Sequence, residues 1–289
     1  MSAPRFLHTT GLDDYALLDA GNGRKLERFG AVTLNRPEEQ ALFRPRLPQE
    51  VWDAADATFD GRAEEDGDGR WRRREGLPEA WVCRHGPVRF SCRFTAFRHV
   101  GAFPEQAAHW AYMREQLARY GNRPELLNLF AYTGIASLIA ADAGAAVTHV
   151  DASKTAIAWA KENQVASGMA DRPVRWILDD AVKFAAREVR RGRRYDGILL
   201  DPPKFGRGPK NETWRLFDDL PQLLAHCRQL LKPGGFVVLT AYAIRASFLA
   251  LQELCADTFG EGAQAGELVL DAESGRALST SLYCRWPAA

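Results

Sequence analysis

The chain has 289 residues, enough for one large domain and a smaller one with a sizeable hydrophobic core. Its 38 basic and 37 acidic residues give a net charge of +1, which excludes a strong global attraction to nucleic acid or membranes and leaves only local basic surfaces. Five cysteines without metal-ligand spacing predict free thiols and no metal, and the absence of a signal peptide or a membrane-spanning apolar segment predicts a cytoplasmic protein with no membrane partner.

The first hundred residues predict a small β-rich module. Short apolar stretches at Tyr15–Leu18, Ala31–Leu34, Trp81–Cys83 and Val88–Phe94 are separated by runs such as AGNGR and RHGP, which favour tight turns. Because apolar stretches of this length joined by turns form hairpins, we assign residues 1–102 to a β-rich domain that is a candidate for substrate recognition.

Arginines stand beside aromatic residues in this module. The run Arg70–Arg74 contains Trp71, and further arginines alternate with Phe90, Phe94 and Phe97. Such a pattern can follow a phosphate backbone and stack bases, although solvated arginines on a strand-rich surface are the simpler interpretation for any single residue. The acidic segment Glu64–Asp68 is close to the cluster in sequence and offers charges to neutralise it, so nucleic-acid binding by Arg70–Arg74 stays open.

Residues 103–123 predict a connecting helix. Pro104 and Glu105 are favourable in a first helical turn, apolar residues recur at helical spacing up to Tyr120, and Gly121 with Asn122 predicts the end. Glu105 or Gln106 can either contact a ligand or cap the helix.

From residue 124 to 289, strands and helices are predicted to alternate. Alternation of this kind favours a doubly wound parallel sheet with helices on both faces. The predicted strands are Leu126–Phe130, Val147–Val150, Arg175–Leu178, Gly197–Leu200 and Phe236–Thr240, and the predicted helices are Ile135–Ala143, Lys154–Ser167, Ala181–Arg191, Leu216–Leu231 and Ala246–Phe259. Gly266–Leu270 and Thr280–Trp286 predict a closing hairpin at one edge.

The stretch YDGILLDPPKF predicts a buried strand that ends at Asp201. Neither Pro202 nor Pro203 can donate to a sheet, so the carboxylate is expected at the strand's carboxyl end, where ligands bind in open α/β sheets. A carboxylate, a stiff turn and the aromatic Phe205 suit a planar polar substrate. Lys204 can meet a phosphate or a carbonyl oxygen, or remain solvated.

The loop after this stretch, Gly206–Lys210, is glycine-rich and basic. It is predicted to be either a mobile cover over the substrate or an ordinary surface loop.

A ligand pocket is predicted from the ends of three earlier strands. The first strand is followed by Tyr132-Thr133-Gly134, which lacks the glycines of a nicotinamide fingerprint but makes a tight turn for a ligand with a carboxylate and no diphosphate. Asp151 ends the second strand, about 20 residues on, where an acid holds ribose hydroxyls. Asp179 and Asp180 follow the third strand, placed for an adenine amino group.

Each of these elements alone also fits an ordinary helix cap, Asp151–Ser153 and Asp179–Asp180 included. Their order along successive strands together predicts a pocket for S-adenosylmethionine, with the acceptor facing Asp201. The residues assigned to the cofactor are Asn128, Phe130, Tyr132, Thr133, Gly134, Asp151, Ser153, Asp179 and Asp180, and those assigned to the catalytic corner are Asp201, Pro202, Lys204 and Phe205.

Residues 124–286 resemble the class I S-adenosylmethionine-dependent methyltransferases, and within them the ribosomal-RNA large-subunit branch typified by the cytosine-C5 enzymes. The resemblance rests on N-x-F-x-Y-T-G at Asn128–Gly134, on Asp151 and Asp180, and on D-P-P-K-F at Asp201–Phe205. It implies a seven-stranded sheet with the last strand antiparallel and an RNA substrate. The RNA-binding module of those enzymes is not identifiable in residues 1–102.

The acceptor atom is predicted from the cysteines. Methylation of pyrimidine carbon 5 requires a thiolate that adds to the ring, and in the resembling enzymes this cysteine follows the fifth strand. Here that place holds Leu239–Tyr242, and all five cysteines are expected in the core. A nitrogen or oxygen acceptor is therefore predicted, with Asp201 and a backbone carbonyl accepting N–H bonds while Phe205 stacks on the base.

The sequence thus predicts an S-adenosylmethionine-dependent methyltransferase acting on RNA. A protein or small-molecule methyltransferase is one alternative, and an RNA-binding protein with an inactive methyltransferase core is another. A nicotinamide oxidoreductase is opposed by the missing glycines. The acceptor and the oligomeric state stay open.

Overall fold

The computed structural model describes residues 5–9, 12–61, 69–242 and 246–286. The chain divides into two units, the first made of residues 1–7, 108–268 and 281–289, and the second of residues 8–107 and 269–280. The segment 269–280 thus groups with the amino-terminal half, although it lies within the range 124–289 predicted for the catalytic domain. The predicted boundaries stay predictions.

The elements are numbered in chain order. The strands are β1 (Arg5–Thr9), β2 (Tyr15–Gly21), β3 (Arg24–Phe29), β4 (Val32–Pro37), β5 (Ala57–Asp60), β6 (Arg70–Arg73), β7 (Ala80–His85), β8 (Val88–Arg93), β9 (Glu125–Leu129), β10 (Ala146–Asp151), β11 (Val174–Leu178), β12 (Tyr195–Leu200), β13 (Phe205–Arg207), β14 (Thr213–Arg215), β15 (Leu231–Tyr242), β16 (Gln264–Asp271) and β17 (Ala277–Trp286). The α-helices are α1 (Gln49–Asp53), α2 (Ala107–Leu117), α3 (Ile135–Asp142), α4 (Lys154–Ala166), α5 (Ala181–Arg190), α6 (Leu216–Leu230) and α7 (Phe248–Phe259), and a short 3-10 helix, Pro104–Gln106, precedes α2. In the parts of the chain that the structure describes, no helix is long and apolar enough to cross a membrane.

The first unit is built on one large sheet with the strand order β1-β16-β17-β15-β12-β9-β10-β11. The neighbours from β15 to β11 run parallel, and β17 runs antiparallel to β15. The predicted doubly wound sheet with an antiparallel last strand is confirmed. An eighth strand, β1, lies beyond β16 at one edge; it is short and mostly exposed, so its sequence carries no buried periodic pattern.

The centre of this sheet is packed tightly around β12. Every residue of β12 is buried, as expected for a parallel strand covered on both faces. At Gly197 a Cβ atom would lie 2.4 Å from Cζ of Phe236 and 2.7 Å from Cδ1 of Leu126. Side chains of the two neighbouring strands therefore occupy the space that any larger residue at position 197 would need.

The second unit is rich in β-structure, as predicted. A five-stranded sheet has the order β2-β3-β4-β5-β6, and β7 pairs with β8 as an antiparallel hairpin. Leu17, Ala20 and Leu278 belong to its small apolar core.

Charged side chains are also buried in the second unit. Nε of Arg36 donates to the Glu27 carboxylate at 2.7 Å. Burial alone would raise the pKa of Glu27, but the positive charge of Arg36 lowers it to about 2. Glu105, predicted to cap the connecting helix or to contact a ligand, is buried in the short 3-10 helix that precedes α2. Burial raises the pKa of Glu105, and the positive charge of the nearby Lys25 only partly offsets this shift.

The arginine run Arg70–Arg74 lies on β6 and the residue after it. Arg72, Arg73 and Arg74 form ion pairs with Asp60, Glu79 and Asp56 at 2.9, 2.7 and 2.9 Å. Trp71 packs edge-on against Phe59. The acidic segment Glu64–Asp68 lies outside the described residues, and a role for the run in nucleic-acid binding stays a prediction.

We expect Gly197→Ala to lower the free energy of unfolding by about 1–3 kcal/mol, because the added methyl group overpacks the contact with Phe236 and Leu126. Urea unfolding followed by circular dichroism measures this change. Gly121→Ala is the matched control, since no atom lies within 4 Å of a Cβ at that exposed position. Equal stability of the two variants would contradict the packing described for β12.

Candidate active site

The sheet register brings the predicted site segments to one edge. Leu129 at the end of β9 lies opposite Val150 of β10 and Leu200 of β12, and Asp151 lies opposite Leu178 of β11. Because these strands are parallel, the segments that follow them emerge side by side at their carboxyl ends. This is the edge where open α/β sheets bind ligands.

The loop between β9 and α3, residues 130–134, has an unusual backbone. Phe130, Tyr132 and Gly134 have φ values of 56°, 50° and 83°. The left-handed region costs a non-glycine residue about 1–2 kcal/mol, so the two aromatic residues are held there by their surroundings. Strain of this kind is typical of functional sites.

Asp151 supplies one of the restraints on this loop. Its Oδ2 accepts a hydrogen bond from the backbone N–H of Tyr132 at 2.8 Å, and its Oδ1 accepts one from the N–H of Ser153 at 2.8 Å. Burial raises the pKa of Asp151, while these backbone donors oppose the shift. The Asp151 carboxylate thus connects the 130–134 loop to the start of α4. Ser153 itself caps α4, with Oγ accepting from the N–H of Ala156 at 3.2 Å.

Gly134 allows the loop to approach α4 closely. A Cβ atom there would lie 2.9 Å from Cβ of Ala160. The buried Thr133 also contacts α4, since its carbonyl oxygen accepts from Nδ2 of Asn163 at 2.9 Å. The tight turn predicted from Tyr132-Thr133-Gly134 therefore packs directly on α4.

Asn128 lies beneath the loop. Its Nδ2 donates to Oγ of Ser137 at 3.0 Å, and that hydroxyl lies 3.0 Å from Nδ1 of His149. Burial lowers the pKa of His149 to about 3, so the ring is neutral. The structure directs the Asn128 amide into this buried network, which sequence reasoning missed because its members are dispersed over three elements.

The two acids after β11 have local partners. Oδ1 of Asp180 accepts from the N–H of Lys183 at 2.9 Å and caps α5, and Asp180 is almost fully buried. Asp179 forms an ion pair with Arg187, and its backbone N–H donates to the Asp151 carbonyl at 3.1 Å. The backbone of Asp179 therefore lies beside Asp151, and the assignment of both acids to the cofactor stays a prediction.

The Asp201–Phe205 corner follows β12 and lies next to the 130–134 loop, which follows the neighbouring strand β9. The N–H of Asp201 lies 3.5 Å from the Leu129 carbonyl oxygen. Asp201 is partly buried, Pro202 is buried, and Lys204 and Phe205 are exposed. The polar end of the corner therefore meets the sheet edge while its aromatic end faces outward.

Trp214 connects this corner to the first loop. Its Nε1 donates to the Pro203 carbonyl oxygen at 2.7 Å, and its ring packs on Phe130 with centroids 4.9 Å apart. Trp214 is 3% exposed. Sequence reasoning missed it; the only signal was a tryptophan in the otherwise polar run Asn211–Arg215.

The stretch Gly206–Lys210, predicted as a cover or a surface loop, is part of a β-hairpin. β13 and β14 pair antiparallel, and Glu212 stabilises the turn between them. Its carboxylate accepts from the N–H of Lys210 at 2.8 Å and pairs with Nζ of Lys183 on α5 at 2.8 Å. The hydrogen bond from Lys183 lowers the pKa of Glu212 to about 2.

All five cysteines are buried, which confirms the prediction that they belong to the core. Cys227, Cys255 and Cys284 lie in α6, α7 and β17. Burial raises the pKa of Cys227, which disfavours a thiolate. The end of β15 beside the corner holds Thr240 and Ala241, both buried.

The chain matches a family model and a solved structure over most of its length. Residues 33–259 match the model described as S-adenosylmethionine-dependent methyltransferase. The crystal structure of the SAM-dependent methyltransferase from Agrobacterium tumefaciens is 51% identical, with a TM-score of 0.94, and covers 99% of this chain and 94% of its own.

Curated relatives match a shorter part. The ribosomal RNA large subunit methyltransferase K/L of Vibrio cholerae is 36% identical over 127 residues, which is 43% of this chain and 18% of that protein. The ribosomal RNA large subunit methyltransferase I of Shewanella amazonensis is 30% identical over 179 residues, 57% of this chain and 43% of that protein. The chain therefore spans less than half the length of either relative.

We expect Asp151→Asn to loosen the 130–134 loop. The Asn side chain has one oxygen, so it can accept from only one of the two backbone N–H groups, and its NH₂ group then faces the other N–H. The free energy of local opening at the Tyr132 and Ser153 amides should fall by about 1–3 kcal/mol. Hydrogen exchange followed by NMR measures it, with the exposed Asp171→Asn as control. Unchanged protection in Asp151→Asn would show that the carboxylate does not restrain the loop.

Proposed function

Because the chain belongs to the family of S-adenosylmethionine-dependent methyltransferases, we propose that it methylates RNA, at a base nitrogen or oxygen atom rather than at carbon 5 of a pyrimidine. The observation that carries this proposal is the carboxyl edge of the sheet, where the strained 130–134 loop, Asp151, Asp180 and the Asp201 corner follow adjacent parallel strands.

The residues at this edge fit the cofactor. The positive φ of Gly134 and its close packing on α4 hold the 130–134 turn in one shape at the edge where a ligand would bind. Asp151 offers carboxylate oxygens to ribose hydroxyls, and Asp179 and Asp180 lie on the adjacent strand end for an adenine amino group. When bound, S-adenosylmethionine supplies an electrophilic methyl group on its sulfonium sulfur.

The Asp201 corner fits the acceptor. A carboxylate at this position can accept an N–H bond from an exocyclic amine, orient the nitrogen lone pair toward the methyl donor and take up the proton that the nitrogen releases. The Pro202 and Pro203 rings fix the backbone of the corner, and the indole of Trp214 already occupies the Pro203 carbonyl oxygen. The Pro202 carbonyl is therefore the backbone acceptor that we assign to the second N–H.

The choice of nitrogen or oxygen over carbon follows from the cysteines. Addition to a pyrimidine ring requires a thiolate in the acceptor pocket, and all five thiols of this chain are buried. RNA as the acceptor is supported by the names of the relatives, which are ribosomal RNA methyltransferases. The exposed Phe205 and Lys204 at the corner are compatible with a base and a phosphate.

S-adenosylhomocysteine should raise the melting temperature of the wild-type protein, because a ligand that binds only the native state adds about 2.7 kcal/mol at 100 times its Kd. Asp151→Asn should weaken this binding at least about tenfold, since it removes a charged hydrogen-bond acceptor. Differential scanning fluorimetry with a ligand titration measures both, and Asp171→Asn should behave as wild type. No shift in the wild type would refute the cofactor assignment.

Asp201→Asn should lower kcat by about 10²–10⁴-fold while leaving S-adenosylhomocysteine binding unchanged, because it removes a proton acceptor and spares the cofactor residues. The assay transfers a labelled methyl group to RNA from cells that lack this protein, and mass spectrometry identifies the modified nucleoside. A 5-methylpyrimidine product, or full activity of Asp201→Asn, would contradict the proposed chemistry. Labelling of protein or small molecules with an unchanged RNA profile would refute the RNA substrate.

A further inference from the structure

We propose that the outer face of the β13–β14 hairpin is a docking surface for the single-stranded nucleic acid that flanks the acceptor nucleotide. This hairpin face consists of Phe205, Arg207, Thr213 and Arg215. The proposal rests on the proposed function, since it names the part of the protein that holds the RNA on which that function acts.

The register of the hairpin separates two faces. Phe205 lies opposite Arg215, Gly206 opposite Trp214, and Arg207 opposite Thr213. Residues directly opposite in an antiparallel pair share a face, and alternate residues of one strand point to the same side. The hairpin face is therefore aromatic and cationic, while Trp214 and Gly206 form the inner face. Burial agrees, because the members of the hairpin face are all exposed and Trp214 is buried.

Phe205 and Arg207 form a platform of the kind that holds a base and a phosphate together. The Phe205 side chain is 45% exposed, and the guanidinium carbon of Arg207 lies 5.6 Å from its ring centroid. Nη1 of Arg207 also donates to Oγ1 of Thr213 at 3.2 Å, which fixes the guanidinium beside the ring. An exposed aromatic ring next to a held cation is how sequence-tolerant binders stack bases and follow the backbone.

The charges around the platform favour an anionic strand. Arg215 extends the hairpin face. Its guanidinium pairs with Asp218 at 3.9 Å with both side chains exposed, a pairing that competes weakly with phosphate. The Asp219 carboxylate accepts from the backbone N–H of Arg215 at 2.7 Å and leaves the guanidinium available. Lys204 and Lys210 are exposed nearby. Glu212, the acid within the hairpin, is engaged with Lys183 and is largely buried. The local charge is therefore positive on a chain that is nearly neutral overall.

The inner face fixes this surface relative to the acceptor corner. Trp214 donates a hydrogen bond to the Pro203 carbonyl oxygen and packs on Phe130. Lys183 of α5 forms an ion pair with Glu212. Phe205 follows Asp201 by four residues, a span of at most roughly 14 Å. A strand whose target base enters the corner at Asp201 thus reaches the hairpin face with the nucleotides next to the acceptor.

A nucleic acid fits this surface better than an acidic peptide does. An acidic peptide would use the two arginines but gain little from an exposed aromatic ring, whereas every base offers a π-face to Phe205. Dependence of binding on the ring therefore separates the two kinds of partner.

Binding of a fluorescein-labelled, unstructured 12-nucleotide RNA, measured by anisotropy without cofactor over a range of salt concentrations, tests the proposal. Phe205→Leu should weaken binding about tenfold at constant salt dependence, because it removes one stacked base. Arg207→Gln and Arg215→Gln should each reduce the slope of log K against log salt by about 0.7, because each removes one phosphate contact. Arg194→Gln is the matched control, since Arg194 is exposed at the opposite edge of the sheet, just before β12.

Three further outcomes are decisive. If the wild type binds and methylates RNA while all three hairpin variants bind like Arg194→Gln, the hairpin proposal is wrong and the proposed function stands. If the wild type methylates no RNA, the proposed function is wrong. If an oligoglutamate peptide of equal length binds as tightly as the RNA and Phe205→Leu changes neither affinity, the surface recognises acidic protein and the proposal is overturned. An unchanged S-adenosylhomocysteine thermal shift confirms that each variant is folded.

Discussion

The site depends on one carboxylate, that of Asp151, which accepts backbone hydrogen bonds from two successive loops. Tyr132 belongs to a loop whose backbone is strained, and Ser153 begins the next helix. A charged acceptor between two N–H groups is worth more than a neutral one, and it can hold Tyr132 at positive φ where a hydroxyl or an amide would hold it less firmly. The same acid that is assigned to the ribose thus also shapes the turn assigned to the rest of the cofactor.

A second connection extends this arrangement toward the acceptor. Phe130, the other strained aromatic residue, packs on Trp214, and Trp214 donates to the carbonyl of Pro203. The chain of contacts therefore runs from Asp151 through the 130–134 loop and Trp214 to the proline corner. Since methyl transfer requires donor and acceptor to be held in line, a rigid link between the two half-sites is a direct way to supply that alignment.

Much of the first unit could be predicted because its signals are local. Buried strands such as β12 have continuous apolar runs, and Asp180 and Ser153 cap helices with the residue types that caps favour. Because parallel strands end at one edge, the positions of Asp151, Asp180 and Asp201 after successive strands predict that all three lie along the same edge of the sheet. The predicted roles of individual site residues stay predictions.

What the sequence could not reveal depends on contacts between distant residues. β1 is an edge strand whose side chains are mostly exposed, so it has no apolar pattern to detect. The Asn128–Ser137–His149 network joins three elements by side chains alone. The sequence predicts a loop where the β13–β14 hairpin forms, because the short strands carry Gly206 and Thr213. Trp214 and Glu212 stabilise the hairpin through partners that are more than ten residues away in sequence.

The proposed acceptor chemistry rests on where the chain places its polar and its sulfur-bearing side chains. Carbon methylation would need a thiol near the end of β15, but that position is occupied by Thr240 and Ala241 and the sulfur atoms are packed in the core. In contrast, the corner beside it concentrates hydrogen-bond acceptors on a backbone that two prolines stiffen. A pocket with acceptors and without a nucleophile can stabilise an amine or hydroxyl as it is alkylated, but it cannot activate a carbon atom. Resemblance to carbon-methylating enzymes in the surrounding motifs is thus compatible with a different acceptor, because the proposed function assigns the motifs to the donor and the Asp201 corner to the acceptor atom.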